Sequence, residues 1–136
     1  MNSKYNAKQV EFDGYKFDSQ SECEFYKHLK SQLETLQIKS FKIHPTYELQ
    51  PAFTKNGIKH RAIIYEADFE FVSKNDEIIV VDIKGLPTQA AILKKKMFDY
   101  RYANKLVWLT YVKKYGGWIE YDELKKLRKA NKKESK

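Results

Sequence analysis

Two runs of residues with a three-residue gap between them constrain this chain more than any other feature. RAIIYEADFEFVS (61–73) alternates well, EIIVVDIKG (77–85) is largely apolar, and only Lys74-Asn75-Asp76 separates them. Such runs across so short a loop predict an antiparallel hairpin, with Asn75 suited to the left-handed conformation that the loop needs. A three-residue loop makes Ser73 and Glu77 neighbours. Counting back from them sets Asp68 opposite Asp82 and Glu66 opposite Lys84. Side chains alternate along a strand, so Val80, Asp82 and Lys84 share one face. On the partner strand Ile64, Glu66, Asp68, Glu70 and Val72 lie together, and Tyr65, Ala67, Phe69 and Phe71 form the more apolar face. Cross-strand Cβ atoms are ~5 Å apart, and two carboxylates that close repel unless a cation joins them or one is protonated. A loop one residue longer or shorter would send the two acids to opposite faces.

The other elements surround this hairpin. VEFDGYKF (10–17), with Asp-Gly at its centre, predicts a small hairpin or an extended arm. Ser19-Gln20-Ser21-Glu22 has capping-box spacing, so a helix runs from there to about Gln37. Phe25, Tyr26, Leu29, Leu33 and Leu36 form its apolar stripe. HPTYELQPAF (44–53) is extended and leads into a turn at Lys55-Asn56-Gly57. A second helix spans 88–104, with Ala90, Leu93, Met97 and Tyr100 on one stripe; core packing is the role expected for Tyr100. LVWLTYV (106–112) reads as a buried strand with Trp108 in the core, and WIEY (118–121) as a short edge strand after the Gly116-Gly117 turn. A basic helix begins at Asp122. The order helix, strands, helix, strand, helix suits an α/β domain with a mixed central sheet flanked by helices.

At 136 residues the chain predicts one domain with a real core. The single Cys23 excludes an internal disulfide framework and any multi-Cys zinc site supplied by one chain. No apolar run approaches the ~20 residues of a membrane span. The polar start MNSKYNAKQV carries no signal-peptide core, so a soluble, cytoplasmic protein is expected. Of the net charge of +8, a net of +6 sits in the last twelve residues, KKLRKANKKESK, which hold seven basic groups and one acid. That basic tail, about 122–136, either attracts a polyanion such as nucleic acid or serves as a solubilising terminus.

The helix offers a third carboxylate. On a helical wheel Glu22 falls within the stripe of Phe25, Leu29, Leu33 and Leu36, and Glu24 points away. Glu22 either closes the capping box or turns an acid inward, and the two roles are compatible. Glu22, Asp68, Asp82 and Lys84 then form a set of three acids and one ammonium. His28, His44 and His60 show no metal-ligand spacing and read as surface or local hydrogen-bonding residues. Carboxylates without His or Cys nearby favour Mg²⁺ or Mn²⁺. Such an ion can supply a nucleophilic water, which Lys84 can help to position or deprotonate. No G-x-S-x-G, Cys/His pair or P-loop is present, so acyl transfer and P-loop nucleotide chemistry find no support.

Glu22, Ala67-Asp68, a 13-residue spacer and Asp82-Ile83-Lys84 together resemble the PD-(D/E)xK nuclease superfamily, with Ala67 where the superfamily name has Pro. KFDSQSE, LQPAF, YEADFEF, VVDIKG and KKKMFDYRY are also similar to a family of small phage-encoded, uncharacterised nuclease-like proteins. The resemblance implies a restriction-endonuclease-like αβββαβ core in a single domain over 1–136, with a flexible N-terminal arm at about 1–10. It implies metal ligation by Glu22, Asp68, Asp82 and the Ile83 carbonyl, catalysis by Lys84, and DNA contacts from Lys94, Lys95, Lys96 and Arg101 on the second helix. The implied activity is an Mg²⁺- or Mn²⁺-dependent endodeoxyribonuclease without a small-molecule cofactor. Among nuclease roles, the small size and the lack of a sequence-reading domain suit a Holliday-junction or branched-DNA resolvase in the host-cell cytoplasm, and its need for two active sites makes a homodimer the expectation. The alternatives are an end-processing or nicking nuclease working with other phage proteins, and a DNA-binding module that does not cut.

Overall fold

The computed structural model describes residues 9–134. Asp13 and Gly14 both take positive φ (54° and 81°), the turn geometry that Asp-Gly favours, and join β1 (Val10–Phe12) to β2 (Tyr15–Phe17). The DG stretch is therefore a hairpin, and the expected arm up to residue 8 lies outside the described residues. The α1 helix (Gln20–Glu34) follows, its N-cap made by the Ser19 hydroxyl, which accepts from the Glu22 N–H at 3.1 Å. It stops short of Gln37 because Leu36 turns left-handed (φ 62°). The Leu36 and Gln37 N–H groups return to the Leu33 and Gln32 carbonyls, closing a Schellman motif. Phe25, Tyr26 and Leu29 are buried as their spacing predicts, while Leu36, beyond the last turn, is exposed.

The chain next forms one long antiparallel ribbon. Its outgoing side is β3 (Ile38–Ile43), β4 (Thr46–Gln50) and β5 (Phe53–Lys55). Its returning side is β6 (Ile58–His60), β7 (Ile63–Glu66) and β8 (Phe69–Ser73). Ile43 pairs with Phe69 and Thr46 with Glu66, so the register passes through the joint at His44-Pro45 and Ala67-Asp68 without slipping. Two backbone bonds hold that joint: the His44 N–H donates to the Asp68 carbonyl (2.9 Å) and the Ala67 N–H to the Pro45 carbonyl (3.0 Å).

β8 turns into β9 (Ile78–Ile83) in the register that the three-residue loop predicts, Phe69 against Val81 and Glu70 against Val80. The left-handed residue in the loop is Asp76 (φ 66°), not Asn75, because the third loop position is the one that turns back into the strand. From β9 the chain passes through α2 (Gln89–Arg101) to β10 (Lys105–Val112), parallel to β9. β11 (Gly117–Glu120) and α3 (Tyr121–Glu134) complete it, so the basic segment from about 122 is helical through 134. The mixed five-stranded sheet has the order β11-β10-β9-β8-β3. Its elements arise in the order α, β, β, β, α, β as expected, with the outer ribbon inserted after the first strand and an edge strand and third helix appended.

One face of the sheet packs under α1, with Phe17, Phe25, Leu29, Phe69 and Val81 in contact. The other packs under α2, around Tyr65, Ala67, Val80, Phe98 and Trp108. This partition corrects the single strand expected over 61–73. Ala67 and Phe69 are two residues apart, yet they enter opposite cores, so the alternation reverses at Asp68. Glu66 pairs with Thr46, and the β8–β9 ladder ends at Phe69 and Val81, so Glu66 and Lys84 are not ladder partners although they line one wall. α2 is also rotated from its expected setting. Leu93 and Tyr100 are exposed, Tyr100 at 95%, and Phe98 is the residue that is fully buried. Both stripes repeat at helical spacing, and the rings of Tyr47 and Tyr65 on the ribbon select the Phe98 one. No helix among the described residues is long and apolar enough to cross a membrane.

Candidate metal centre

Strand directions gather the site. β3 and β8 are antiparallel, as are β8 and β9, so the end of β3, the start of β8 and the end of β9 meet at one edge of the sheet. The first turn of α1 reaches the same edge. A cleft of ≈ 530 Å³ opens there, lined by Ser19, Glu22, Asp68, Ile83, Lys84 and Thr110 among others.

Glu22 is only 3% exposed, and its carboxylate turns to His44, with Oε1 3.0 Å from Nε2. Glu24 lies on the outer side, bonded to Gln20 and Lys27, as the helical wheel predicts. His44 has φ 53°, an uncommon backbone state for a residue with a side chain, and the joint holds it there through its N–H. Glu22, His44 and Asp68 each offer one ligand atom, all within 4.8 Å of one another, so together they can hold a metal ion.

The electrostatics fit that use. Burial raises the Glu22 carboxyl above the usual range, against the opposing hydrogen bond to His44. Asp68 is pushed up to about 7, first by burial and then by the negative charges of Asp82 and Glu22. Acids crowded in this way are unfavourable as anions until a cation sits among them. Two carboxylates and one imidazole form a donor set suited to a divalent ion, and the imidazole extends it beyond the oxygen-only set expected from spacing.

Asp82 lies beside this triad but outside it. Its Oδ1 accepts from the Asp68 N–H (2.8 Å), and the Ile83 N–H donates to Asp68 Oδ2 (2.7 Å). The two strands thus exchange backbone-to-side-chain bonds where their ladder ends. The other Asp82 oxygen accepts from the Tyr65 hydroxyl, which in turn accepts from Trp108 Nε1 at 2.8 Å. Asp82 is 2% exposed, and burial raises its carboxyl, with the Tyr65 bond and the Lys84 charge opposing. Asp68 and Asp82 are neighbours, as the register requires. Their carboxylates nevertheless diverge, one to the cleft and one to the α2 core, because the alternation reverses between them.

Lys84 lines the cleft, its ammonium 5.4 Å from the Trp108 ring centroid, and its charge favours the ionised forms of both Asp68 and Asp82. The basic residues of α2 divide. Lys95 pairs with Asp99 (3.1 Å), and Arg101 donates to the Leu49 carbonyl (3.1 Å) and faces Glu48 (3.6 Å), so both serve internal contacts. Lys94 is half-buried on the wall it shares with Lys84 and Glu66, and Lys96 is exposed.

Sequence spacing misses His44, which stands far from Glu22 and Asp68 along the chain. A usable signal is present in His44-Pro45 itself. A Pro between two extended runs marks a place where a strand must break, and residues at such breaks leave the regular alternation.

The family model described as "Protein of unknown function (DUF1064)" matches residues 2–117, a span that contains every residue of the cleft. No curated protein and no solved structure matches the chain.

Proposed function

The chain belongs to the DUF1064 family, and from the geometry of its cleft we propose that it is a metal-dependent DNA endonuclease. The observation that carries this reading is the convergence of Glu22, His44 and Asp68 ligand atoms within 4.8 Å, with Lys84 on the same cleft wall. Glu22, His44 and Asp68 would hold the ion, Mg²⁺ or Mn²⁺, and the imidazole would favour Mn²⁺ for affinity. When bound, the ion polarises a phosphodiester oxygen and makes a coordinated water more acidic. Lys84 places a positive charge beside the phosphate. Asp82 acts as a positioning residue: it fixes the backbone of Asp68 and is itself fixed by Tyr65. The resemblance of Glu22, Asp68 and Asp82-Ile83-Lys84 to PD-(D/E)xK nucleases supports the same chemistry.

A branched-DNA resolvase working as a homodimer is the specific form proposed, since paired cuts require two sites. The exposed Leu86, Leu93 and Tyr100 around α2 favour self-association. The test is cleavage of a four-way junction, a flap, a linear duplex and a single strand with Mn²⁺ or with EDTA. Cutting is expected with Mn²⁺ and not with EDTA, and Asp68→Asn should lower it by roughly 10²–10⁴-fold while DNA binding persists. Symmetrical nicks across the junction identify the resolvase, and a preference for ends identifies a processing nuclease. If no substrate is cut in a metal-dependent way, the enzyme reading fails and a non-cleaving DNA-binding module remains.

A further inference from the structure

The outer part of the ribbon has no counterpart in the site just described. α2 anchors the ribbon as far as Leu49: Arg101 bonds the Leu49 carbonyl, and the Tyr102 hydroxyl bonds the Glu48 carbonyl at 2.7 Å. Beyond Pro51 that support ends. All six residues of β5 and β6 are exposed, including Phe53 (44%) and Ile58 (60%). The tip is a tight turn with Asn56 and Gly57 both at positive φ (51° and 76°), which joins the strands without slack. Phe53 and His60 stack across the strands with ring centroids 4.5 Å apart.

The charge of this segment has one sign. Between Glu48 and Glu66 there is no acid, and Lys55, Lys59 and Arg61 lie in that interval. Among the described residues no ion pair involves any of the three. Phe53, Lys55, Ile58 and His60 share one face of the ribbon, and Thr54 and Lys59 share the other. An exposed apolar strip flanked by unpaired cations suits a polyanion that also presents apolar surface.

We propose that this finger, Phe53–His60 with Arg61, enters the major groove of duplex DNA alongside the cleft, with Lys55, Lys59 and Arg61 on the phosphates. The proposal rests on the nuclease reading for its choice of DNA. The B-form major groove admits a two-stranded ribbon, whereas the A-form major groove of duplex RNA is too deep and narrow for side chains to read. The joint carrying His44 and Asp68 forms the base of the same ribbon. About ten residues of strand separate the joint from the tip, so the finger reaches at most ~33 Å from the cleft. That distance is roughly one turn of duplex.

The experiment measures binding of the full-length chain to a duplex of ~30 base pairs, without metal, across about 50–200 mM salt. Lys55→Ala/Lys59→Ala/Arg61→Ala is compared with the unsubstituted protein. Each lost phosphate contact removes ~0.9 from the slope of log affinity against log salt, so a reduction of about 2–3 is expected. At least a tenfold loss of affinity at ~100 mM salt should accompany it. The three side chains are exposed, so the unfolding midpoint should not move. Phe53→Ser/Ile58→Ser should weaken DNA binding with the salt slope intact. An unchanged slope and affinity in the triple variant would overturn the finger and reduce its lysines to guards against strand pairing at the ribbon edge. Equal losses on duplex RNA would overturn groove insertion. Cutting that persists while the triple variant binds normally sinks the finger alone. Finger-dependent binding without metal-dependent cutting sinks the nuclease reading alone.

Discussion

Asp68 and Asp82 are the same residue type, neighbours across one strand pair, in opposite surroundings. Asp68 opens onto a cleft with Glu22 and His44, and its carboxyl is pushed up to about 7. Asp82 is sealed under α2, where its two oxygens accept from the Asp68 N–H and the Tyr65 hydroxyl. The first is an acid raised by burial and by neighbouring negative charge, beside two other candidate metal ligands. The second is an acid whose hydrogen bonds define the joint. Adjacency along a sheet therefore does not decide whether a carboxylate faces a cleft or a core. What decides it is the side of the strand on which each carboxylate emerges.

The largest expected effect separates the two by activity. Asp68→Asn should lower metal-dependent cutting by roughly 10²–10⁴-fold, the range for losing an ion that contributes several kcal/mol to the transition state. Asp82→Asn, one shell further out, should cost about 10–100-fold in metal affinity or cutting. Equal losses in Mn²⁺ titrations of the two variants would erase the distinction.

Stability should separate them in the opposite sense. Asp82→Ala leaves the buried Asp68 N–H and Tyr65 hydroxyl short of a partner, at roughly 1–3 kcal/mol for each group. Tyr65→Phe removes the acceptor for Trp108 Nε1 and a donor to Asp82, for a loss of similar size. Asp68→Asn should instead leave the metal-free protein at pH 8 at least as stable as the unsubstituted one. Urea unfolding of the three variants measures this contrast directly.

The pH dependence follows from the sign of the Asp68 shift. Its carboxyl lies at about 7 in the folded chain against an ordinary value of 3.8. Between those values the folded state holds a proton that the unfolded state has released. Metal-free stability should thus fall as pH rises from about 4 and level off above about 7. Mn²⁺ should raise the melting temperature more at pH 8 than at pH 5.5, and Asp68→Asn should flatten both trends. The smallest effect belongs to Glu24→Gln, two residues from Glu22 on the same helix. It should leave Mn²⁺ affinity unchanged and move stability by no more than ~0.5 kcal/mol.

Much of the fold is legible in local chemistry. Asp13-Gly14 announces a hairpin, Ser19 starts α1, and the three-residue loop sets the β8–β9 register. The helical wheel separates Glu22 from Glu24 without knowledge of what Glu22 faces. The missed features share a cause. Two stripes on α2 have equally good helical spacing, and the rings of the ribbon choose Phe98 over Leu93 and Tyr100. The turn at Asn56-Gly57 is legible, but its six flanking residues are too short a run to announce β5 and β6.

The sequence by itself determined which acids lie near one another: loop length pairs Asp68 with Asp82, and helical period turns Glu22 inward. Only the tertiary structure decided which of them share a cleft. The joint at His44-Pro45 and Ala67-Asp68 reverses the alternation, brings in an imidazole and turns Asp68 away from the face that Asp82 keeps. Periodicity reports the face a residue occupies only while a strand is unbroken. Where the strand bends is settled by what packs on either side of it, here α1 against Phe69 and α2 against Tyr65 and Ala67.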